Sequence, residues 1–201
     1  MINRFIYGVD LLSRTVGHAF AWCLVVLTFG TSYEVFVRYV LNNPTSWAFD
    51  FSYTMYGAMF FMAGAYTLSR GGHVRADMFY RLWQPRTQAR VELVLYILFF
   101  FPGILALVIS GWDYGFSSMK IREVSVNSPA GVPIWPLKML IPFGAGLLAL
   151  QGVAEVLRCI QCIRDNQWPQ RLHDVEELEE QLIKEQRAKA EAQAAPEGAA
   201  R

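Results

Sequence analysis

Four long runs of apolar residues divide the chain, separated by short polar segments and followed by an almost wholly polar tail. The runs cover about residues 15–40, 47–68, 91–112 and 135–157. A helix needs roughly 20 mainly apolar residues to cross a hydrocarbon core about 30 Å thick, and each run has that length. None alternates with a period of two, as the strands of a membrane barrel do. The pattern predicts an all-α membrane protein with four transmembrane helices. Residues 15–168 form its membrane domain, 1–14 an N-terminal segment, and 169–201 a polar, partly helical tail.

Composition points the same way. Of 201 residues, 54% are hydrophobic and only 17% charged, against about a quarter in ordinary soluble domains. That is more apolar surface than one soluble core of this length hides, which excludes a soluble globular enzyme and a disordered chain. A net charge of +1 leaves no electrostatic footprint for nucleic acid. The distribution of charge is more informative than its sum. Residues 69–90 carry Arg70, Arg75, Arg81, Arg86 and Arg90 against Asp77, and Arg158 and Arg164 follow the fourth run. Residues 41–46 have no charge, and 113–134 are balanced. Basic residues in short loops mark the cytoplasmic side, so both termini and the middle loop are expected inside. The first run is too long for a signal-peptide core and lacks a small-x-small cleavage site, so it reads as a permanent span.

Between the second and third runs, Gly71-Gly72 is a helix stop, and the stretch from His73 to Trp83 then places Val74, Met78, Phe79 and Leu82 on one face. Asp77 and Arg81 are spaced i,i+4 and can pair. An amphipathic helix lying in the inner interface is expected here, with His73, Arg75, Asp77 and Arg81 as its polar members. It either joins two spans or braces a partner subunit. On the outer side, residues 125–136 are punctuated by Pro129, Gly131, Pro133 and Pro136, and Lys138 is placed to snorkel outward.

Charged groups inside or beside spans carry the candidate chemistry. Glu34 and Arg38 lie one helical turn apart near the outer end of the first span, and Trp47 and Asp50 open the second. An ion pair Glu34–Arg38, with Asp50 as a third member, is the natural arrangement; it reads as a docking cluster or, more simply, as a device fixing two helices together. Cys159 and Cys162 have redox-motif spacing but sit at the inner end, where thiols stay reduced, and no second cysteine pair completes a zinc site. His18, His73 and His173 do not face one another across the hydrocarbon region, so no haem ligation is expected. The chain contains no phosphate loop, no His-Glu-x-x-His and no serine-nucleophile elbow. No catalytic residue, cofactor or metal is expected. A lone transporter usually shows repeated halves, which this short chain lacks, so it reads as a companion subunit. The alternative is a membrane anchor subunit of a redox enzyme complex.

Several stretches together resemble a known family. They are Glu34-Val35-Phe36-Val37-Arg38-Tyr39-Val40, Trp47 with Asp50 three residues on, and Gly64-Ala65-Tyr66-Thr67-Leu68 running into His73-Val74-Arg75-Ala76-Asp77. Pro136-Leu137-Lys138 and Leu147-Leu148-Ala149-Leu150-Gln151-Gly152 complete the series. The order is similar to that of the DctQ-like small membrane subunit of tripartite ATP-independent periplasmic (TRAP) transporters. Many members have two adjacent acids after the tryptophan, where this chain has only Asp50. The resemblance implies a bacterial inner-membrane scaffold for sodium-coupled uptake of organic acids. Its implied partners are membrane lipid, a large DctM-like transport subunit and a periplasmic DctP-like solute-binding protein.

Overall fold

The computed structural model describes residues 2–72, 80, 83–169 and 186. The expected interfacial helix with His73, Arg75, Asp77 and Arg81, and the tail beyond residue 169, therefore lie outside the described residues, Tyr80, Trp83 and Gln186 apart. Among the described residues four long helices make up the fold: α1 Ile2–Tyr39, α2 Ala48–Ser69, α3 Pro85–Lys120 and α4 Trp135–Asp165. Of these, α1, α3 and α4 are long and apolar enough to cross a membrane by length and composition. The sequence reading expected four such spans. The difference is α2, whose 22 residues include Asp50, two serines, two threonines and three tyrosines, which dilute its apolar character.

The helices outrun the apolar windows. At 38 residues α1 is about 57 Å long, well beyond a hydrocarbon core of about 30 Å. Its first turns are one-sided rather than apolar throughout: Ile6, Val9, Asp10, Ser13 and Gly17 are buried on one face. α4 likewise continues to Asp165, where Asn166 in the left-handed region (φ 56°) donates its N–H to Cys162 O at 2.8 Å and ends the helix.

Packing proceeds in the order α1–α2–α4–α3, with α1 also reaching α4. Small residues let the backbones approach, as is usual between membrane helices. A Cβ on Gly144 would lie 2.6 Å from the Phe61 carbonyl oxygen of α2, and a Cβ on Gly152 would collide with the Phe100 ring of α3. Phe100 owes its position to a single π-turn, Tyr96–Phe100, in which Phe101 N–H reaches back to Tyr96 O. Pro102 is the cause. It has no N–H to give and its ring crowds the Leu98 carbonyl, so the helix widens just before it.

The outer faces of α1 and α3 are apolar and uncovered. Trp22 is 69% exposed, Phe29 73% and Phe99 70%. The covered positions, by contrast, include Asp10, Ser13, Asp50, Gln151, Glu155 and Arg158. This apolar-out, polar-in pattern is that of a bundle solvated by lipid.

Candidate functional site

Polar side chains gather at the two ends of the bundle. At the end where α1 finishes, the buried carboxylate of Glu34 accepts from Arg38 Nε at 2.9 Å and Arg38 Nη2 at 2.5 Å through Oε1. Its Oε2 accepts from the Thr45 backbone N–H at 3.2 Å and from the Thr45 hydroxyl. Glu34 thus fastens the last turns of α1 to the connection leading into α2. Trp47 closes the same corner, stacked on Tyr33 with ring centroids 6.4 Å apart and edge-on to Phe51 at 5.6 Å.

Asp50 does not join the Glu34–Arg38 pair. In the first turn of α2, favourably placed for a helix dipole, it is 2% exposed and accepts from the Ser125 hydroxyl at 2.5 Å and from the Ser128 hydroxyl. The four residues picked out in the sequence therefore form two arrangements. One closes the α1–α2 corner and the other holds the loop between α3 and α4. Two backbone hydrogen bonds brace this loop, Ser125 N–H to Val132 O at 2.8 Å and Ile134 N–H to Glu123 O at 3.1 Å. Lys138, in the first turn of α4, reaches Glu123 Oε2 of this loop at 2.5 Å and lies 4.1 Å from the Tyr114 ring centroid. The Lys138 ammonium holds the Glu123 carboxyl below its ordinary range.

The opposite end contains a cluster that the sequence reading missed. Arg158, 2% exposed, donates Nη2 to Asp10 Oδ2 and Nη1 to Glu155 Oε1. Gln151 donates Nε2 to Asp10 Oδ1 at 2.9 Å and to Glu155 Oε1 at 3.3 Å, while its Oε1 accepts the Ser13 hydroxyl at 2.8 Å. Five polar side chains thereby tie the start of α1 to the second half of α4. A signal existed, because Gln151 and Glu155 inside the fourth apolar run and Arg158 just after it recur at helical spacing; Arg158, read as a basic residue beyond the span, is instead buried within α4. Their partners, however, are 138 to 148 residues away in sequence.

The start of α3 is fixed to the same end by Arg86 Nε, which donates to Ile163 O at 2.9 Å, and by Trp168 Nε1, which donates to Gln88 Oε1 at 2.9 Å. Cys159 and Cys162 are free thiols, buried and directed to Glu92 Oε2 and Pro85 O. His18 contacts the Tyr66 hydroxyl at 3.3 Å, and Arg70 Nη1 donates to the same oxygen at 2.7 Å. Among the described residues no group of three or more His, Cys, Asp or Glu is arranged to hold a metal ion. What these groups do chemically is join helices.

No curated protein matches the chain. A family model described as tripartite ATP-independent periplasmic transporters, DctQ component, matches residues 27–162. The match covers about two thirds of the sequence. It takes in Glu34, Arg38, Trp47, Asp50, Gln151, Glu155 and Arg158, and begins after Asp10 and Ser13. By that match, the chain belongs to the DctQ family, the small membrane component of TRAP transporters, which is a transport subunit and not an enzyme.

Proposed function

We propose that the chain is the scaffold subunit of a sodium-coupled importer of organic acids. It enlarges the fixed part of a complex whose large DctM-like subunit carries the solute and ion sites. Its outer end also receives the periplasmic DctP-like solute-binding protein. One observation carries this reading: the polar side chains of the bundle are spent on joining its own helices, while two broad apolar faces, on α1 and α3, are left for lipid and a larger neighbour.

The proposed setting is the bacterial inner membrane, with both termini cytoplasmic. Arg70, Arg86, Arg90 and Arg164 stand at the Asp10–Arg158 end of the bundle, which the positive-inside rule places inside. α2 is then the fourth span. It packs between α1 and α4 with Asp50 buried beneath the α3–α4 loop, while Tyr53 and Tyr56 remain on its exposed face. His73, Arg75, Asp77 and Arg81 are assigned to contact with a partner at the cytoplasmic surface.

Reconstitution tests the reading. Proteoliposomes with both membrane subunits and the solute-binding protein should take up solute on a sodium gradient. Omitting this chain should abolish uptake although the soluble protein still binds its solute. Uptake at the normal rate by the large subunit alone would overturn it.

A further inference from the structure

The loop between α3 and α4 is stiff, yet its most prominent side chain is apolar and uncovered. Val124 pairs with Pro133 across the loop, and Ser125 N–H reaches Val132 O at 2.8 Å. Beneath it the buried Asp50 carboxylate takes the hydroxyls of Ser125 and Ser128, and Ser125 Oγ accepts Asn127 N–H at 3.1 Å. Opening this arrangement would leave a desolvated carboxylate without its donors, so the loop is held in one shape. Val126, between the two serines in sequence, is nevertheless 95% exposed, with Ile121 at 73%.

Charge at this end is sorted by depth. The acids turn inward, with Glu34 and Asp50 buried and Glu123 folded against Lys138. Arg38 is engaged by Glu34, whereas the cations Lys120 and Arg122 next to the loop are exposed, and the exposed acid Asp113 lies about two turns further down α3. The surface flanking the loop is therefore positive. Val124, Asn127, Pro129, Ala130, Gly131 and Pro133 complete its exposed surface and include no aromatic side chain. Loops seated in the headgroup region favour tryptophan and tyrosine as anchors, so a lipid occupant fits poorly.

We infer that residues 121–134 form a preformed docking platform for a soluble protein whose acidic rim meets Lys120 and Arg122 and whose apolar recess receives Val126. The inference rests on the outward orientation and docking role proposed above, and it names the surface that performs that role. A rigid loop loses little freedom on binding, which favours affinity, and the cations accelerate encounter at low salt.

The test uses the complete membrane complex in lipid nanodiscs, with the purified, solute-loaded binding protein of the same transporter as probe. Its Kd is measured by biolayer interferometry across a sodium chloride series. Val126→Asp and Arg122→Glu are each expected to weaken binding tenfold or more, with Arg122→Glu also flattening the salt dependence. Co-elution of the variants with the large subunit reports that the complex is intact. Wild-type affinity in both variants would overturn the platform alone and leave the scaffold reading standing. A wild-type complex that binds no probe would overturn the docking role itself. Quenching of a Val126→Trp variant by brominated lipids would place the loop in the membrane and overturn the platform.

Discussion

Arg158 sits between two carboxylates with almost no access to solvent, so its removal is a different event from the loss of a surface charge. Arg158→Met would leave Asp10 and Glu155 facing each other in a desolvated site, a defect that costs about 3–5 kcal/mol for a buried pair. We expect a marked fall in the melting temperature of the detergent-solubilised chain, read by intrinsic tryptophan fluorescence. Asp10→Asn should cost less, since Glu155 remains to pair with the guanidinium. Equal melting of Arg158→Met and wild type would show that the cluster does not hold the helices. Glu123 gives the complementary prediction with pH. Its folded-state carboxyl is held below the ordinary value of 4.5, chiefly by Lys138, so its contribution is complete above that value and is lost as pH falls further toward the lowered one. Protection of the amides in residues 121–134, measured as exchange relative to the intrinsic rate at each pH, should therefore fall below about pH 4.5, and Glu123→Gln should remove that component of the pH dependence.

The helices themselves were legible wherever hydropathy alone decides, which is why the runs near 15–40, 91–112 and 135–157 overlap α1, α3 and α4. The first turns of α1 were not, because Ile6, Val9, Asp10, Ser13 and Gly17 form one covered face that a mean over all sides dilutes. The Asp10–Arg158 cluster escaped for a related reason: spacing within one helix cannot identify a partner 148 residues away. Glu34–Arg38 was legible because both groups lie on one helix at i,i+4, whereas the partners of Asp50 come from a loop 75 to 78 residues on. The π-turn before Pro102 has consequences for packing. The π-turn sets Phe100 on Gly152, so Gly152→Ala should force the ring aside and cost about 1–3 kcal/mol, as overpacking does. Pro102→Ala should allow a regular helix and partly relieve Gly152→Ala, because Phe100 would rotate away. Melting of the two single variants and the double variant checks this, and strict additivity would disconnect the π-turn from the α3–α4 contact.

At the scale of the whole molecule, two sets of contacts fix which helix ends lie together. Glu34 with Thr45 and Asp50 with Ser125 and Ser128 gather the end of α1, the start of α2 and the α3–α4 loop. Asp10 with Arg158 and Arg86 with Ile163 gather the start of α1, the start of α3 and the end of α4. Successive helices are therefore antiparallel, and α2, at 22 residues or about 33 Å, has the length to cross with the others. A four-span and a three-span topology then differ at two readable positions. With a cytoplasmic start to α1 and α2 crossing, Val126 faces outward and Gln167 inward. With α2 left outside, α3 and α4 reverse, so that Val126 faces inward and Gln167 outward. Single cysteines at Val126 and Gln167, in a chain with Cys23, Cys159 and Cys162 replaced, separate the two when whole spheroplasts meet a membrane-impermeant maleimide. We expect Val126→Cys to label at once and Gln167→Cys to label only after permeabilisation. The reverse pattern would remove α2 from the membrane and put the basic end of α3 on the outer side, against the positive-inside rule.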